Sequence, residues 1–482
     1  MQTALLLATA LTLTQQADLD VNEKSRSPFT LRGYYFTFSR MPTYGLAAWK
    51  QIIDCIHADN GNTVILWIGG GFKSKKYPDT WAYNRDHANI QNDYVRDLID
   101  YAHTRKIKIL LGFTPFGYDG VNQMSLARPE WRATGPDGKP VQKFGFHSWG
   151  YNLCPARTGA QRFMLEYVRE LVHDFYPNAD GLLIESSDYA ACHCKNCGAR
   201  FYEHEFQFVK AISEEVWMTK NDALIVVYPH YFTGAKVPVL NITAARQPFD
   251  PRWALFFTPH SAHPDARLIA QARAAIWSDD APARRDSQAI RDNANRARRE
   301  KCNGYIPSLE SFTYIPTELE EGQQYLVGKR RVPFGFGWLK SGQQPCDELP
   351  IRINRIAFRE YTRNPDLSDA GFRTILGKDL FGDAATPQAI ADALALQRIF
   401  ALDRTWCQPS PTVSPERLRA MNAAGQLTDI KRNEYRAARD RLRDLERRYR
   451  DQPKPFAEIH RIAKWAADQW KNAEELLSLQ RE

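Results

Sequence analysis

Residues 180–201, DGLLIESSDYAACHCKNCGARF, decide how the rest of the 482-residue chain is read. Gly181–Ile184 is a short, wholly apolar run, the mark of a strand buried on both faces. It ends in a carboxylate, Glu185. Seven residues later a Cys-x-Cys-x-x-Cys cluster begins, formed by Cys192, Cys194 and Cys197. An acidic side chain at the C-terminal end of a strand is where a β/α barrel places its reactive groups. A tight thiol cluster beside it is metal-ligand or disulfide chemistry.

Working outward, similar apolar runs recur at 32–39 (RGYYFTFS), 63–68 (TVILWI), 107–113 (IKILLGF), 223–228 (ALIVVY) and 253–258 (WALFFT). A weaker run lies at 274–277, another at 304–309 (GYIPSL) ends in Glu310, and the last is 333–338 (PFGFGW). Helical patterns separate most of them, at 45–58, 92–104, 160–176, 201–219 and 287–299. Continuous apolar strands alternating with helices predict a parallel sheet covered on both sides. The count predicts an α/β fold, a (β/α)8 TIM barrel over 28–365. A doubly wound open sheet would need a Gly-rich phosphate turn, and Gly69-Gly70-Gly71 lacks that spacing. From 366 to 482 strand patterns vanish. Helical periodicity at 387–401, 427–450 and 455–478 predicts a C-terminal α-helical region that packs on the barrel or mediates oligomerisation.

The composition fits a folded domain with a carbohydrate partner better than a nucleic-acid one. Aromatics reach 12%, with 12 Trp and 21 Tyr, side chains that suit sugar rings as well as cores. The net charge of +8 gathers in the Arg-rich stretch 417–450, read as the solvated face of helices. No nucleic-acid motif accompanies it, so no nucleic acid is expected, while an acidic glycan would be attracted. Residues 1–20 carry an apolar run from Ala4 to Leu13, the length of a signal-peptide core and too short for a membrane span. The expectation is a periplasmic or secreted protein with no membrane span.

Zinc in a structural site takes four ligands, so the three clustered cysteines need one more. Cys154, in NLCPAR just before the helix that feeds the 181–184 strand, is the best candidate, and His193 competes. In an exported protein a disulfide within this set is the alternative. Close spacing argues against several bridges. Cys55, on a helix's apolar face, reads as core, and Cys302, Cys346 and Cys407 are scattered. Four such ligands leave no open position, so the metal would pin the loop after Glu185. No organic cofactor is expected.

Glycoside hydrolysis needs two carboxyl groups across the scissile bond. Glu185 ends the fourth strand by this count and Glu310 the seventh, each directly after an apolar run. Asp188 could orient the acid or bind a sugar hydroxyl. Arg40, Trp67, His147, Trp149, Tyr228, His230, His260, Asp279 and Trp338 stand at or just past strand ends and are candidate subsite residues.

The series NLCPAR, a helix, LLIES and then CHCKNCGARF resembles glycoside hydrolase family 42, the β-galactosidases and related barrel hydrolases. The match covers about residues 152–201. The resemblance implies that Cys154, Cys192, Cys194 and Cys197 hold a structural zinc, that Glu185 is the acid/base, and that Glu310 is the nucleophile ending strand seven. The chain departs from the family at Ile184, where those proteins carry an Asn that contacts the sugar 2-hydroxyl. It is also similar to barrel proteins near the α-glucuronidases and hexosaminidases. The expected activity is therefore that of a glycosidase, retaining and exo-acting on a poly- or oligosaccharide. A substrate-assisted, hexosaminidase-like hydrolase using Glu185 with Asp188, and a non-catalytic glycan-binding barrel, are the alternatives.

Overall fold

The computed structural model describes residues 27–36, 46–69, 71–82, 85, 88–117, 121–141, 151–185, 191–228, 249–259, 266–308, 324–327, 330–333, 349–402 and 415–471. Eight parallel strands close into a barrel in sequence order. They are β1 (Leu31–Phe36), β2 (Thr63–Trp67), β3 (Lys108–Phe113), β4 (Gly181–Ile184), β5 (Leu224–Val227), β6 (Trp253–Phe257), β7 (Ala274–Trp277) and β8 (Gly304–Tyr305). β8 returns to β1 through the pairs Leu31–Gly304 and Arg32–Tyr305. The TIM barrel expected from the alternating pattern is present.

Two details of the strand count differ from expectation. Ala274–Trp277, weak as a pattern because two of its four residues are Ala, is a full barrel strand paired to β6 and β8. The run at 304–309 therefore supplies the eighth strand, not the seventh. The barrel closes on eight strands without the expected last one at 333–338, of which only Pro333 is among the described residues. That residue ends the second strand of a separate antiparallel hairpin, β9 (Gln324–Val327) with β10 (Arg330–Pro333).

Helices α1 (Leu46–Ala58), α2 (Val95–Thr104), α3 (Thr158–Arg169), α4 (Phe201–Trp217), α5 (Ala266–Gln271) and α6 (Ser287–Arg299) lie between the strands. α7 (Leu349–Arg363) follows β8, and its Phe358 packs on Tyr34 of β1 and Tyr305 of β8, with ring centroids 4.6 and 5.6 Å apart. It thus covers the seam where the barrel closes. α8 (Asp369–Phe381), α9 (Pro387–Ala401), α10 (Pro415–Ala423), α11 (Asp429–Tyr449) and α12 (Ala457–Lys471) form the C-terminal helices. Ser368, Thr386 and Thr428 cap α8, α9 and α11 by accepting a backbone N–H from the first turn. No helix among the described residues is long and apolar enough to cross a membrane.

The barrel interior is filled rather than hollow. Ile65, Leu110, Leu183, Val226, Ala254 and Ile276 face inward, with Tyr35, Trp67 and Phe256 above them. The alternate residues face the helices, as a side-chain period of two requires. β4 can start only with glycine: a Cβ at Gly181 would sit 2.0 Å from the Leu224 carbonyl oxygen of the neighbouring strand.

Candidate active site

The inward face of each strand, continued past its last apolar residue, changes chemistry. Beyond Leu110 and Gly112 comes Thr114; beyond Leu183 comes Glu185; beyond Val226 comes Tyr228. The same step gives Thr258 after Phe256, Ser278 after Ile276 and Ser308 after Ile306. Among the described residues, a ring of hydroxyls around one carboxyl group therefore caps an apolar barrel at its C-terminal end, the end where barrel enzymes hold their chemistry. Thr114, Glu185 and Tyr228 are neighbours across three strands. The Glu185 N–H donates to the Phe113 carbonyl at 3.0 Å, and the Tyr228 N–H donates to the Ile184 carbonyl at 3.2 Å.

Glu185 is only 6% exposed. The hydroxyl of Tyr35, from β1, donates a hydrogen bond to its Oε2. The Tyr35 ring is held in turn by Trp67, 6.4 Å away, and by an edge-on Phe256 at 5.7 Å. Trp67 is fully buried and belongs to the floor beneath the ring of hydroxyls. Tyr228 is half-buried, stacks near Phe256 at 5.6 Å and donates to the Thr258 hydroxyl at 3.2 Å. Thr114 is fully buried beside Glu185, and its hydroxyl has no hydrogen-bond partner among the described residues. Ile184, where the resembled family has Asn, faces outward into the packing between barrel and helices.

Asp279, also expected at the mouth, points the other way. One step of alternation past Ser278, it lies outside the barrel wall, 5% exposed, where its Oδ1 accepts the Ala281 N–H at 2.6 Å. Burial pushes its carboxyl up to about 7, against the pull of that N–H. Its Oδ2 and the neighbouring Tyr305 hydroxyl are both buried and fall short of a well-formed hydrogen bond, although the hydroxyl still pulls the carboxyl down. Arg40, His147, Trp149, Asp188, His230, His260, Glu310 and Trp338 lie outside the described residues, as do residues 1–26, Cys346 and Cys407.

The sulfurs of Cys154, Cys192, Cys194 and Cys197 converge to within 4.8 Å of one another, all four residues buried. His193 instead uses its backbone N–H to reach the Thr134 carbonyl at 2.6 Å. Cys154 Sγ lies 3.5 Å from Cys197 Sγ and 3.7 Å from Cys194 Sγ. These distances exceed the about 2.05 Å of a disulfide. They match the roughly 3.8 Å edge of a tetrahedron of thiolates each about 2.3 Å from a central zinc. The four cysteines are thiols, as are Cys55 and Cys302. The cluster can hold a metal ion.

Its surroundings suit that role. The Thr134 N–H donates to Cys192 Sγ at 3.3 Å. Hydrogen bonds from Cys154 first, then from Cys197, hold the Cys192 thiol well below its usual range, while Cys154 is raised chiefly by Cys192 and Cys197 chiefly by Cys154. Four thiolates packed this closely repel unless a cation sits between them. Gly198, at φ +47°, turns the chain directly after the last ligand. The cluster ties together the β3–α3 connection, through Thr134 and Cys154, and the segment that follows Glu185. Cys55, expected in the core, is half-buried on α1. Cys302 is buried, and burial first, then Glu300, pushes its thiol up to about 12.

Sequence reasoning had not singled out Tyr35, Thr114, Thr258, Ser278 or Ser308. The signal for the last four was available, since each stands two positions past an inward apolar residue. No family model matches the chain, and no curated protein sequence matches it significantly. Solved structures do share its fold. A GH138 enzyme targeting pectin rhamnogalacturonan II superposes with a TM-score of 0.52 at 11% identity, over 94% of this chain and 59% of that one. The chain thus spans less than two thirds of that enzyme's length. The Thermobaculum terrenum O-GlcNAc hydrolase gives a TM-score of 0.49 at 12% identity, over 93% of this chain and 86% of that one. The Flavobacterium johnsoniae chitobiase, of family GH20, gives 0.45 at 11% identity, over 94% and 74%. The first likeness shows a common fold, and the other two are too loose to argue from.

Proposed function

We propose that the protein is a glycoside hydrolase in which Glu185 is the acid/base. The observation that carries this reading is a buried carboxyl group, held by Tyr35 and set among hydroxyls at the C-terminal mouth of a filled barrel. Hydroxyls that can both donate and accept suit a sugar, and an acid in a low-dielectric mouth suits proton transfer to a glycosidic oxygen. The resemblance of residues 152–201 to family 42 and the fold shared with a GH138 enzyme lend support. The finer proposal is a retaining, exo-acting enzyme with Glu310 as nucleophile. Glu310 follows the eighth strand in sequence, so it lacks the strand-seven position of the family's nucleophile.

We further propose that the four cysteines hold a structural zinc. It would fill a closed site, take no part in the reaction and fix the loops on either side of Glu185. The chain would work outside the cytoplasm on a poly- or oligosaccharide, with acidic sugars favoured by the net charge of +8.

The test is turnover of a panel of aryl glycosides and acidic oligosaccharides by the wild type, Glu185→Gln and Glu310→Gln. Glu185→Gln should lower kcat by about 10²–10⁴ on substrates with poor leaving groups. Undiminished turnover in Glu185→Gln sinks the acid/base assignment. The anomer first released, read by NMR, decides retention, and full activity in Glu310→Gln removes that residue from the mechanism.

A further inference from the structure

We propose that Tyr35 is a positioning residue that commits Glu185 to using Oε1 as its proton-carrying oxygen; this rests on the acid/base reading of Glu185. Tyr35 is 3% exposed and its hydroxyl is committed to the carboxyl group, so it acts through Glu185. Its hydroxyl crosses the barrel mouth from β1 to β4 and donates to Oε2. The carbonyl-type oxygen of a carboxyl group is the better acceptor, so a bond received at Oε2 biases the dissociable proton to Oε1. In the first step the Oε1–H bond breaks as the proton passes to the glycosidic oxygen. That oxygen takes the electron pair of the breaking bond to the anomeric carbon, and Glu185 is left ionised. The Tyr35 hydrogen bond strengthens as this charge appears.

The fold prepares the phenol for this. The Tyr35 backbone is paired with Ile65 of β2, and its N–H donates to the Pro307 carbonyl at 2.9 Å. The chain is bridged there to Ser308, so β1 is locked on both sides. Trp67 and the edge-on Phe256 confine the ring. Gly112 lies beneath it: an ideal Cβ there would already touch Tyr35 Cε2 at 3.7 Å and Trp67 Cε3 at 3.6 Å, so any longer side chain would displace both rings. Among such aromatic neighbours phenylalanine would pack equally well, and the buried hydroxyl is retained only with a partner to satisfy it.

The experiment is Tyr35→Phe, which deletes the hydroxyl and keeps the ring. On glycosides with poor leaving groups kcat should fall about 10–100-fold with KM within about twofold. On aryl glycosides whose leaving group needs no protonation the loss should nearly vanish. The high-pH limb of the rate profile should move up by about one pH unit or more, because a donor to the ionised carboxyl is gone. A substrate-free reading comes from ¹³C-glutamate labelling. The carboxyl resonance that disappears in Glu185→Gln should titrate at higher pH in Tyr35→Phe. An equal loss on both kinds of substrate, or an unmoved titration midpoint, overturns the proposal while leaving Glu185 as acid. Full turnover in Glu185→Gln overturns the acid/base reading and the proposal with it.

Discussion

The C-terminal helices and the barrel mouth bury polar groups in opposite ways. Asp392, on α9, is completely buried, and its oxygens accept from Arg441, from Arg448 at 2.7 Å, from Tyr449 at 2.9 Å and from Gln388 at 2.9 Å. Nothing is left over, and the result is a lock between α9 and α11. At the mouth the bonding capacity is not used up. Among the described residues, Thr114 keeps an unpartnered hydroxyl beside Glu185, and four thiols face one another across distances that suit a metal. A buried polar group that only holds a fold together is saturated by its neighbours. At the barrel mouth, unspent capacity marks a place where something else could be bound.

The sharpest way to break this contrast is to remove the capacity at the thiols. If they bind zinc, Cys154→Ser or a strong chelator should abolish a near-stoichiometric zinc content. The melting temperature should fall by on the order of 10 °C, since such a site contributes about 10 kcal/mol or more and the chain is large. Turnover should fall with it, because the connections flanking Glu185 lose their anchor. Elemental analysis and calorimetry read both effects. Absence of zinc, with a disulfide found between any two of the four, would place this cluster with the saturated groups instead.

The saturated cluster should fail differently. Asp392→Ala leaves the Tyr449 hydroxyl buried without its acceptor and releases Arg441 and Arg448, whose side chains are 33% and 37% exposed and can turn to water. A fully buried charge pair would cost about 3–5 kcal/mol to break. With the arginines part-exposed, about 2–3 kcal/mol is expected. Denaturant unfolding would measure it, and turnover per folded molecule should not change. A lowered kcat in the intact fraction would show that this lock also serves the mouth.

The barrel was legible because its strands are continuous apolar runs that need no partner to be recognised. It misled where that signal thinned. Ala274–Trp277 has two alanines and little bulk, and its promotion to a full strand shifted the run before Glu310 from seventh to eighth. Tyr35 was hidden for another reason. In RGYYFTFS both faces are aromatic, so alternation cannot say which tyrosine faces in. The structure sends Tyr34 out against Phe358 and Tyr35 in towards Glu185. The fourth cysteine was a matter of distance in space. Cys154 and His193 were both open in sequence, and only the fold brings Cys154 Sγ to 3.5 Å from Cys197 Sγ.

Asp279 tests the contrast where it is finest, because it has unspent capacity and yet faces away from the mouth. Its Oδ2 lies buried beside the Tyr305 hydroxyl without a well-formed bond, and its carboxyl is raised from 3.8 to about 7 chiefly by burial. The folded chain therefore holds this proton more tightly than the unfolded chain does. Its contribution to stability is full below about pH 4 and is lost as pH rises through about 7. Asp279→Asn keeps the shape and the acceptor for the Ala281 N–H, cannot ionise, and offers an amide N–H towards Tyr305. It should leave stability near pH 4 almost unchanged. At pH 8 it should raise stability by roughly 1–2 kcal/mol, within the upper bound of about 4 that the shift allows. Melting temperature against pH, for both proteins, should show the variant's curve flatter between pH 4 and 8. Turnover at pH 6 should be unaltered. If Asp279→Asn instead lowers kcat with stability intact, the unspent oxygen serves the reaction, and the functional region extends through the barrel wall to β7 and β8.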